Sequence, residues 1–164
     1  MVRMLLAVIV SLCAFASPSF ADTNDARLQE GRAALNTNRN DDGARSRRSA
    51  IVLSIAERYL GTNPTKMRRL WCANFVGMIE KKAGRSGSGS NFARSYATYG
   101  KRVAKPQPGD IAVMGRGKRG GHVGYFVGWA PNGKAILISG NSRGGKVAKG
   151  QYAASRIFAW RRPA

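Results

Sequence analysis

The spacing of apolar residues changes at residues 106–109, where Pro-Gln-Pro-Gly separates a helix-type pattern from a strand-type pattern. Before this break, residues 50–60 and 71–83 carry apolar side chains at the spacing of one helix face. After it come short runs rich in β-branched and aromatic residues, separated by glycine-rich turns, at residues 110–114, 122–129, 135–139 and 156–160. Helices followed by antiparallel strands predict an α+β fold, with N-terminal helices packed on a small antiparallel β-sheet.

Residues 1–21 have the pattern of an export signal. Arg3 gives a positive start, residues 4–15 form a mostly apolar run, and Ser19-Phe20-Ala21 offers a small-x-small cleavage site. The apolar run is shorter than the roughly 20 residues that a transmembrane helix needs. We therefore expect cleavage after Ala21 and an exported protein, periplasmic or secreted, that has no transmembrane segment. An uncleaved anchor is the alternative.

Residues 22–49 are polar and hold few large apolar side chains. Such a segment buries too little apolar surface to offset the entropy that it loses on ordering. We predict a mobile N-terminal arm here, with one or two weak helical turns at most. The single folded domain is expected over residues 50–164.

The chain is strongly basic, with 28 Lys and Arg against 8 Asp and Glu and a formal net charge of +20. Such a charge favours a polyanionic partner. Nucleic acid is the usual inference for a basic chain, but outside the cytoplasm the common anions are wall polymers, lipopolysaccharide and anionic membranes. We expect peptidoglycan or another anionic wall polymer as partner, no specific nucleic acid, and a monomer. A solvated surface without a specific partner is the alternative.

Cysteine and histidine are scarce. Once the signal is removed, Cys72 is the single cysteine, which leaves no internal disulfide framework. His122 is the single histidine of the chain. One cysteine and one histidine do not supply the four ligands of a structural zinc site, so we expect no metal and no cofactor.

These two residues have the chemistry of a thiol hydrolase, which needs a thiolate, a nearby base and a third group that orients the imidazole. Cys72 lies near the first turn of a predicted helix, where free N–H groups lower the pKa of a thiol; Arg68 and Arg69 act in the same direction. His122 opens a predicted strand, and Asn141 follows a neighbouring strand. Taken singly, each residue has an ordinary structural explanation. Cys72 could be a buried small hydrophobe, His122 a structural histidine and Asn141 a turn residue.

Four motifs set these residues in a wider pattern: Trp-Cys-Ala-Asn-Phe-Val at 71–76, Lys-Pro-Gln-Pro-Gly-Asp-Ile at 105–111, Gly-His-Val-Gly-Tyr at 121–125 and Gly-Asn-Ser at 140–142. In this order the chain resembles the CHAP/NlpC-like superfamily of papain-fold cysteine peptidases and amidases, from about residue 51 to residue 163. The resemblance implies a papain-like α+β fold and cleavage of peptide or amide bonds in peptidoglycan. It assigns Cys72 as nucleophile, His122 as base and Asn141 as the polar third residue.

The residues beside these three are expected to contact the substrate. Glycine next to the imidazole leaves room for a substrate backbone, which applies to Gly121 and Gly124. Trp71, directly before the cysteine, is expected to bind substrate as well.

The leading hypothesis is therefore a secreted cell-wall hydrolase that works through an acyl-enzyme, with amidase and endopeptidase activity both open. One alternative is a non-catalytic cationic binder of wall polymer, lipopolysaccharide or nucleic acid on the same fold. The other keeps the thiol chemistry but transfers the acyl group to an amine, or acts on an amide outside the wall.

Overall fold

The computed structural model of the chain describes residues 20–117 and 120–163. By its internal contacts the chain divides into two units, with the boundary between Asp41 and Asp42. The predicted signal lies outside the described residues except for Phe20 and Ala21, so the signal and its cleavage stay predictions. Within the described residues, no helix is both long and apolar enough to span a membrane.

Helix α1 covers Phe20–Glu57 and is much longer than the sequence predicts. The side chains of residues 25–40 are all exposed, whereas Val52 and Ala56 near its C-terminal end are buried in the core. Residues 50–57 carry the predicted apolar spacing, and a helix that has already nucleated there extends at little further cost. The preceding residues 22–49 include four alanines and six arginines, whose helix propensity favours this extension. The division into arm and domain stays a prediction.

Helix α2 covers Cys72–Lys82, in agreement with the predicted helix over 71–83. It does not begin upstream, because Lys66 (φ 57°) and Leu70 (φ 60°) adopt left-handed backbone conformations that end any regular helix. Its apolar face buries Phe75, Val76 and Ile79 completely. The helix therefore begins at the cysteine itself.

Six antiparallel strands form one sheet in the order β1-β6-β2-β3-β4-β5. Their bounds are Lys101–Arg102 (β1), Ile111–Arg116 (β2), Gly120–Trp129 (β3), Ala135–Ser139 (β4), Ala148–Tyr152 (β5) and Ile157–Arg162 (β6). Short 3-10 helices cover Ala93–Thr98, Arg143–Gly145 and Ala154–Arg156. The predicted α+β fold is confirmed. The sequence missed β1, which has two residues, and β5, whose Ala-Lys-Gly-Gln-Tyr has no apolar alternation.

The strand that carries His122 is buried on both faces. Val123 and Tyr125 belong to the core cluster that includes Phe75 and Val76 of α2. Phe126 belongs to a second cluster, together with Met114 of β2 and Leu137 of β4. Successive strand residues point to opposite faces, which explains this division.

A buried carboxylate joins α2 to the sheet. Glu80 is fully buried and pairs with Arg85 through two hydrogen bonds of 2.6 and 2.8 Å. It also accepts hydrogen bonds from the hydroxyl groups of Tyr99 (2.7 Å) and Tyr125 (2.6 Å). A buried charge needs such complete pairing, and these bonds fix α2 against β3. The position of Cys72 relative to the strand of His122 is thereby set.

Candidate active site

The start of α2 places Cys72 in a tightly packed environment. Cys72 is the first helical residue, and Trp71 precedes it as the N-cap residue. The thiol residue is 5 % exposed and Trp71 is fully buried. The loop after β4 passes close to this helix start, since a Cβ on Gly140 would lie 2.5 Å from the ring of Trp71 and 2.6 Å from Cβ of Phe75. Glycine is required there.

The pKa of Cys72 is raised above the ordinary value of a thiol, and the cause is burial. The backbone N–H groups of Val123, Ala73 and Cys72 itself favour the thiolate, as does the charge of Arg116, but together they do not offset the burial. The predicted lowering of the pKa is therefore wrong. The helix start supplies N–H groups as expected, but the depth at which the thiol is buried depends on tertiary packing that is not readable from the sequence.

His122 is 7 % exposed and lies between groups from two neighbouring strands. Its Nε2 is 2.9 Å from Oγ of Ser139 and 3.4 Å from the hydroxyl of Tyr152, whose ring centroid lies 5.7 Å from that of the imidazole. Burial, and then the charges of Arg116 and Arg156, lower the pKa of His122 to about 4. The imidazole is therefore neutral at neutral pH, which is the form that accepts a proton.

Asn141 lines the same cavity of about 300 Å³ as His122. It adopts a left-handed backbone conformation (φ 50°), which asparagine tolerates better than most residues. The described hydrogen bonds of the imidazole go to Ser139 and Tyr152 and not to Asn141. The predicted role of Asn141 as third residue stays a prediction.

Ser139 and Tyr152 are the site residues that the sequence missed. Ser139 had a signal, because it ends the predicted strand just before Gly140 and Asn141. Finding it requires the register of β4 on β3, in which Ile138 lies opposite Tyr125. Tyr152 had no signal, because it lies on the unpredicted strand β5.

The structure brings Cys72 next to the strand of His122. The backbone N–H of Val123, the residue directly after the histidine, acts on the sulfur of Cys72. None of the described hydrogen bonds joins this sulfur to the imidazole. The described hydrogen bonds of the imidazole, to Ser139 and Tyr152, both use Nε2, and none of them uses Nδ1.

A largely apolar groove of about 420 Å³ leads to Cys72. Its walls include Gly121 and two strongly exposed apolar side chains, Leu70 (69 % exposed) and Phe92 (78 % exposed). Exposed apolar side chains beside a cavity are typical of a ligand site. Gly121 thus lines this groove, and its predicted substrate contact stays a prediction.

The other two residues that were predicted to contact the substrate, Trp71 and Gly124, are buried. Trp71 is buried, and a Cβ on Gly124 would lie 2.7 Å from Cβ of Ser139, so both pack within the protein. Their substrate contacts stay predictions. In the described part of the chain, no cluster of three or more His, Cys, Asp or Glu side chains is arranged to hold a metal ion.

The comparison with known protein families gives one result. The family model of the CHAP domain matches residues 63–141, a segment that includes Cys72, His122 and Asn141. No curated protein matches the chain. CHAP domains are generally hydrolytic amidases or peptidases of the peptidoglycan-hydrolase type, and they occur in secreted and wall-acting proteins. Residues 63–141 of the chain are therefore similar to the CHAP domain, in agreement with the resemblance that the motifs indicated.

Proposed function

We propose that the protein is an exported cell-wall hydrolase that cuts a peptide or amide bond of peptidoglycan with Cys72 as nucleophile and His122 as base. The observation that carries this proposal is the position of the thiol. Helix α2 begins at Cys72, and the sulfur lies beside the N–H of Val123, the neighbour of the single histidine. This position lies inside the segment that matches the CHAP domain.

The reaction begins with a neutral thiol and a neutral imidazole. Burial raises the pKa of Cys72 and lowers that of His122, so the resting site holds no thiolate–imidazolium pair. The thiol proton passes to Nδ1 of His122 as the sulfur attacks the substrate carbonyl carbon. The resulting imidazolium then donates this proton to the leaving amine as the C–N bond breaks.

The second half of the reaction returns the enzyme to its starting state. Water attacks the thioester carbonyl as His122 takes a proton from it. The imidazolium then returns this proton to the sulfur as the C–S bond breaks and the acid product forms. The N–H groups of Ala73 and Val123, which already favour negative charge on the sulfur, are placed to stabilise the oxyanion of each tetrahedral intermediate. Ser139 and Tyr152 hold the ring through Nε2 throughout.

The charge of the protein supports an anionic polymer as substrate. In the unit that follows Asp41, the described carboxylates of Glu57, Glu80 and Asp110 are each paired with a basic side chain. Most lysines and arginines of this unit are exposed and attract an anionic wall.

One alternative function has a specific observation in its favour. The deep burial of Cys72 and the hydrogen bonds of His122 to other residues also suit a non-catalytic binder of wall polymer on a CHAP fold. Such a binder attaches to sacculi through its charge, and its behaviour does not depend on the thiol. Release of wall fragments separates the two functions.

The test uses purified sacculi and three proteins: wild type, Cys72→Ala and the size-matched Cys72→Ser. Thermal unfolding first establishes that all three are folded. We expect wild type to release soluble muropeptides, whose masses identify the bond, and both variants to release none while still pelleting with sacculi. Equal release by all three proteins, or none by any of them, contradicts the proposal, and the second outcome favours the binder.

A further inference from the structure

Three arginines line the cavity that contains His122. Arg116 comes from the end of β2, Arg143 from the turn after Asn141, and Arg156 from the turn before β6. The cavity of about 300 Å³ is at the lower end of the range for ligand pockets, roughly 300–1,000 Å³. Three separate segments of the chain thus bring positive charge to one small concave site.

The described carboxylates do not neutralise these arginines. In the unit that contains the cavity, Glu57 pairs with Lys149, Glu80 with Arg85 and Asp110 with Arg162. None of the described ion pairs or side-chain hydrogen bonds uses Arg116, Arg143 or Arg156. Within the part of the chain that the structure describes, their guanidinium groups have no side-chain acceptor.

Neutral polar groups complete the site. Asn141, Ser142 and Tyr152 line the cavity beside the arginines. Guanidinium groups bind planar carboxylates through paired, charge-assisted hydrogen bonds, and amide and hydroxyl groups add directional contacts. Arg116 and Arg156 line the same cavity as His122, so a ligand held by these arginines lies beside the imidazole.

We propose that Arg116, Arg143 and Arg156 form a carboxylate-binding subsite, here named the arginine pocket, that selects wall peptides with a free carboxylate close to the cleaved bond. The assignment of this ligand to a substrate rests on the proposed function. A substrate residue whose carboxylate lies in the pocket has its adjoining amide near His122, while the apolar groove at Cys72 receives the other side of the bond. The pocket is thus a determinant of specificity rather than part of the proton transfer.

The binding test separates this subsite from catalysis. Cys72→Ala is titrated with one purified muropeptide and with its fully amidated form, and the imidazole signals of His122, the single histidine, report binding at this position. The free-carboxylate form is expected to bind about tenfold or more tightly than the amidated form, because one charge-assisted bond has that magnitude. Equal affinities for the two forms overturn the subsite.

A matched pair of variants tests which charges matter. Arg143→Gln/Arg156→Gln in the Cys72→Ala background removes two charges from the pocket. Lys101→Gln/Arg102→Gln removes two exposed charges from β1, at the opposite edge of the sheet. Only the first pair is expected to lose the preference for free carboxylate. An equal loss in both pairs overturns the subsite in favour of long-range attraction.

Two further arms complete the experiment. Inorganic phosphate is added as a competitor. If it displaces the muropeptide in an arginine-dependent way and binds more tightly than the muropeptide does, the pocket is a phosphate site and the proposal is overturned. Hydrolysis of free and amidated muropeptides by wild type is followed in parallel. If wild type cleaves neither but Cys72→Ala keeps its arginine-dependent preference, the proposed function fails and the subsite stands. If wild type cleaves the free and the amidated muropeptide at equal rates, the proposed function stands and the subsite is overturned.

Discussion

At the scale of single residues, His122 is the most informative group, because the chain has no other histidine. Its pKa of about 4 means that the folded protein binds this proton more weakly than the unfolded chain, whose imidazole titrates near 6.5. Stability is therefore unaffected above about pH 6.5 and falls as the pH decreases toward 4, by about 3 kcal/mol in total. Chemical denaturation between these pH values measures the loss.

The control for this prediction is His122→Gln, which removes the titrating group and is expected to flatten this part of the stability profile. Direct titration by NMR gives the pKa itself. In Arg156→Gln the pKa is expected to rise, because one of the positive charges that lower it is gone. A midpoint near 6.5 in the wild-type protein would show that the imidazole is solvated.

The thiol gives a second prediction at this scale. Because burial raises the pKa of Cys72 above 9.0, alkylation by iodoacetamide is expected to be slow at neutral pH and to accelerate up to and beyond pH 9. Arg116→Gln removes a charge that favours the thiolate, so its rate profile moves to higher pH still. Mass spectrometry of the Cys72 peptide follows both. A wild-type midpoint below neutrality contradicts the burial that we describe.

Ser139 is expected to act as a positioning residue. Ser139→Ala removes the 2.9 Å contact at Nε2 of His122, so the ring loses a fixed orientation and kcat falls about tenfold with little change in KM. Ser139→Thr retains the hydroxyl and is expected to restore part of the rate. The NMR signals of the imidazole report the altered hydrogen bond independently of turnover. Unchanged signals and unchanged kcat rule out this role.

At the scale of elements, the contact between α2 and the loop after β4 is the critical one. Gly140→Ala places a Cβ 2.5 Å from the ring of Trp71, so the start of α2 has to move. We expect a loss of about 1–3 kcal/mol in unfolding free energy together with a loss of hydrolysis. Gly128→Ala is the matched control, since a Cβ there has no atom within 4 Å. Equal effects of the two substitutions disprove the specific contact.

The same elements show which parts of the fold and of the site could be predicted from the sequence. The helix at Cys72 and the strand at His122 were predictable, because apolar spacing and flanking glycines are local signals. The partners of the imidazole were not, because Ser139 and Tyr152 reach it only through the pairing of β3, β4 and β5. The raised pKa of Cys72 was also out of reach, since it depends on burial by residues distant in sequence.

Helix α1 shows a second reason why the sequence predicts only part of the fold. The sequence indicated a stable helix only from residue 50 onward, where apolar residues recur, and one or two weak helical turns at most before it. The structure continues the helix back to Phe20. Over residues 25–40 every side chain is exposed, so no apolar stripe marks the helix in the sequence. Propensity alone had to supply the prediction there, and it is a weak signal.

At the scale of the whole molecule, the charge is unevenly distributed. Residues 1–41 hold four basic and four acidic residues, so the entire net charge of +20 lies in residues 42–164. A protein that begins at Asp42 is therefore expected to bind sacculi as tightly as one that begins at Asp22. Both are expected to dissociate as NaCl rises from about 50 mM to about 500 mM, because salt screens exposed charges. Pelleting assays measure this, and binding that requires residues 22–41 contradicts it.

In the proposed reaction, the Cys72 sulfur carries the acyl group during wall hydrolysis. The most direct measurement is rapid acid quenching of a muropeptide digest, followed by mass spectrometry of the intact protein and of its Cys72 peptide, with hydroxylamine added in a parallel reaction. We expect an acyl adduct on Cys72 or, if deacylation is fast, a hydroxamate product that Cys72→Ala does not form. Wall fragments released by wild type without either species, or released equally by Cys72→Ala, would contradict this reaction.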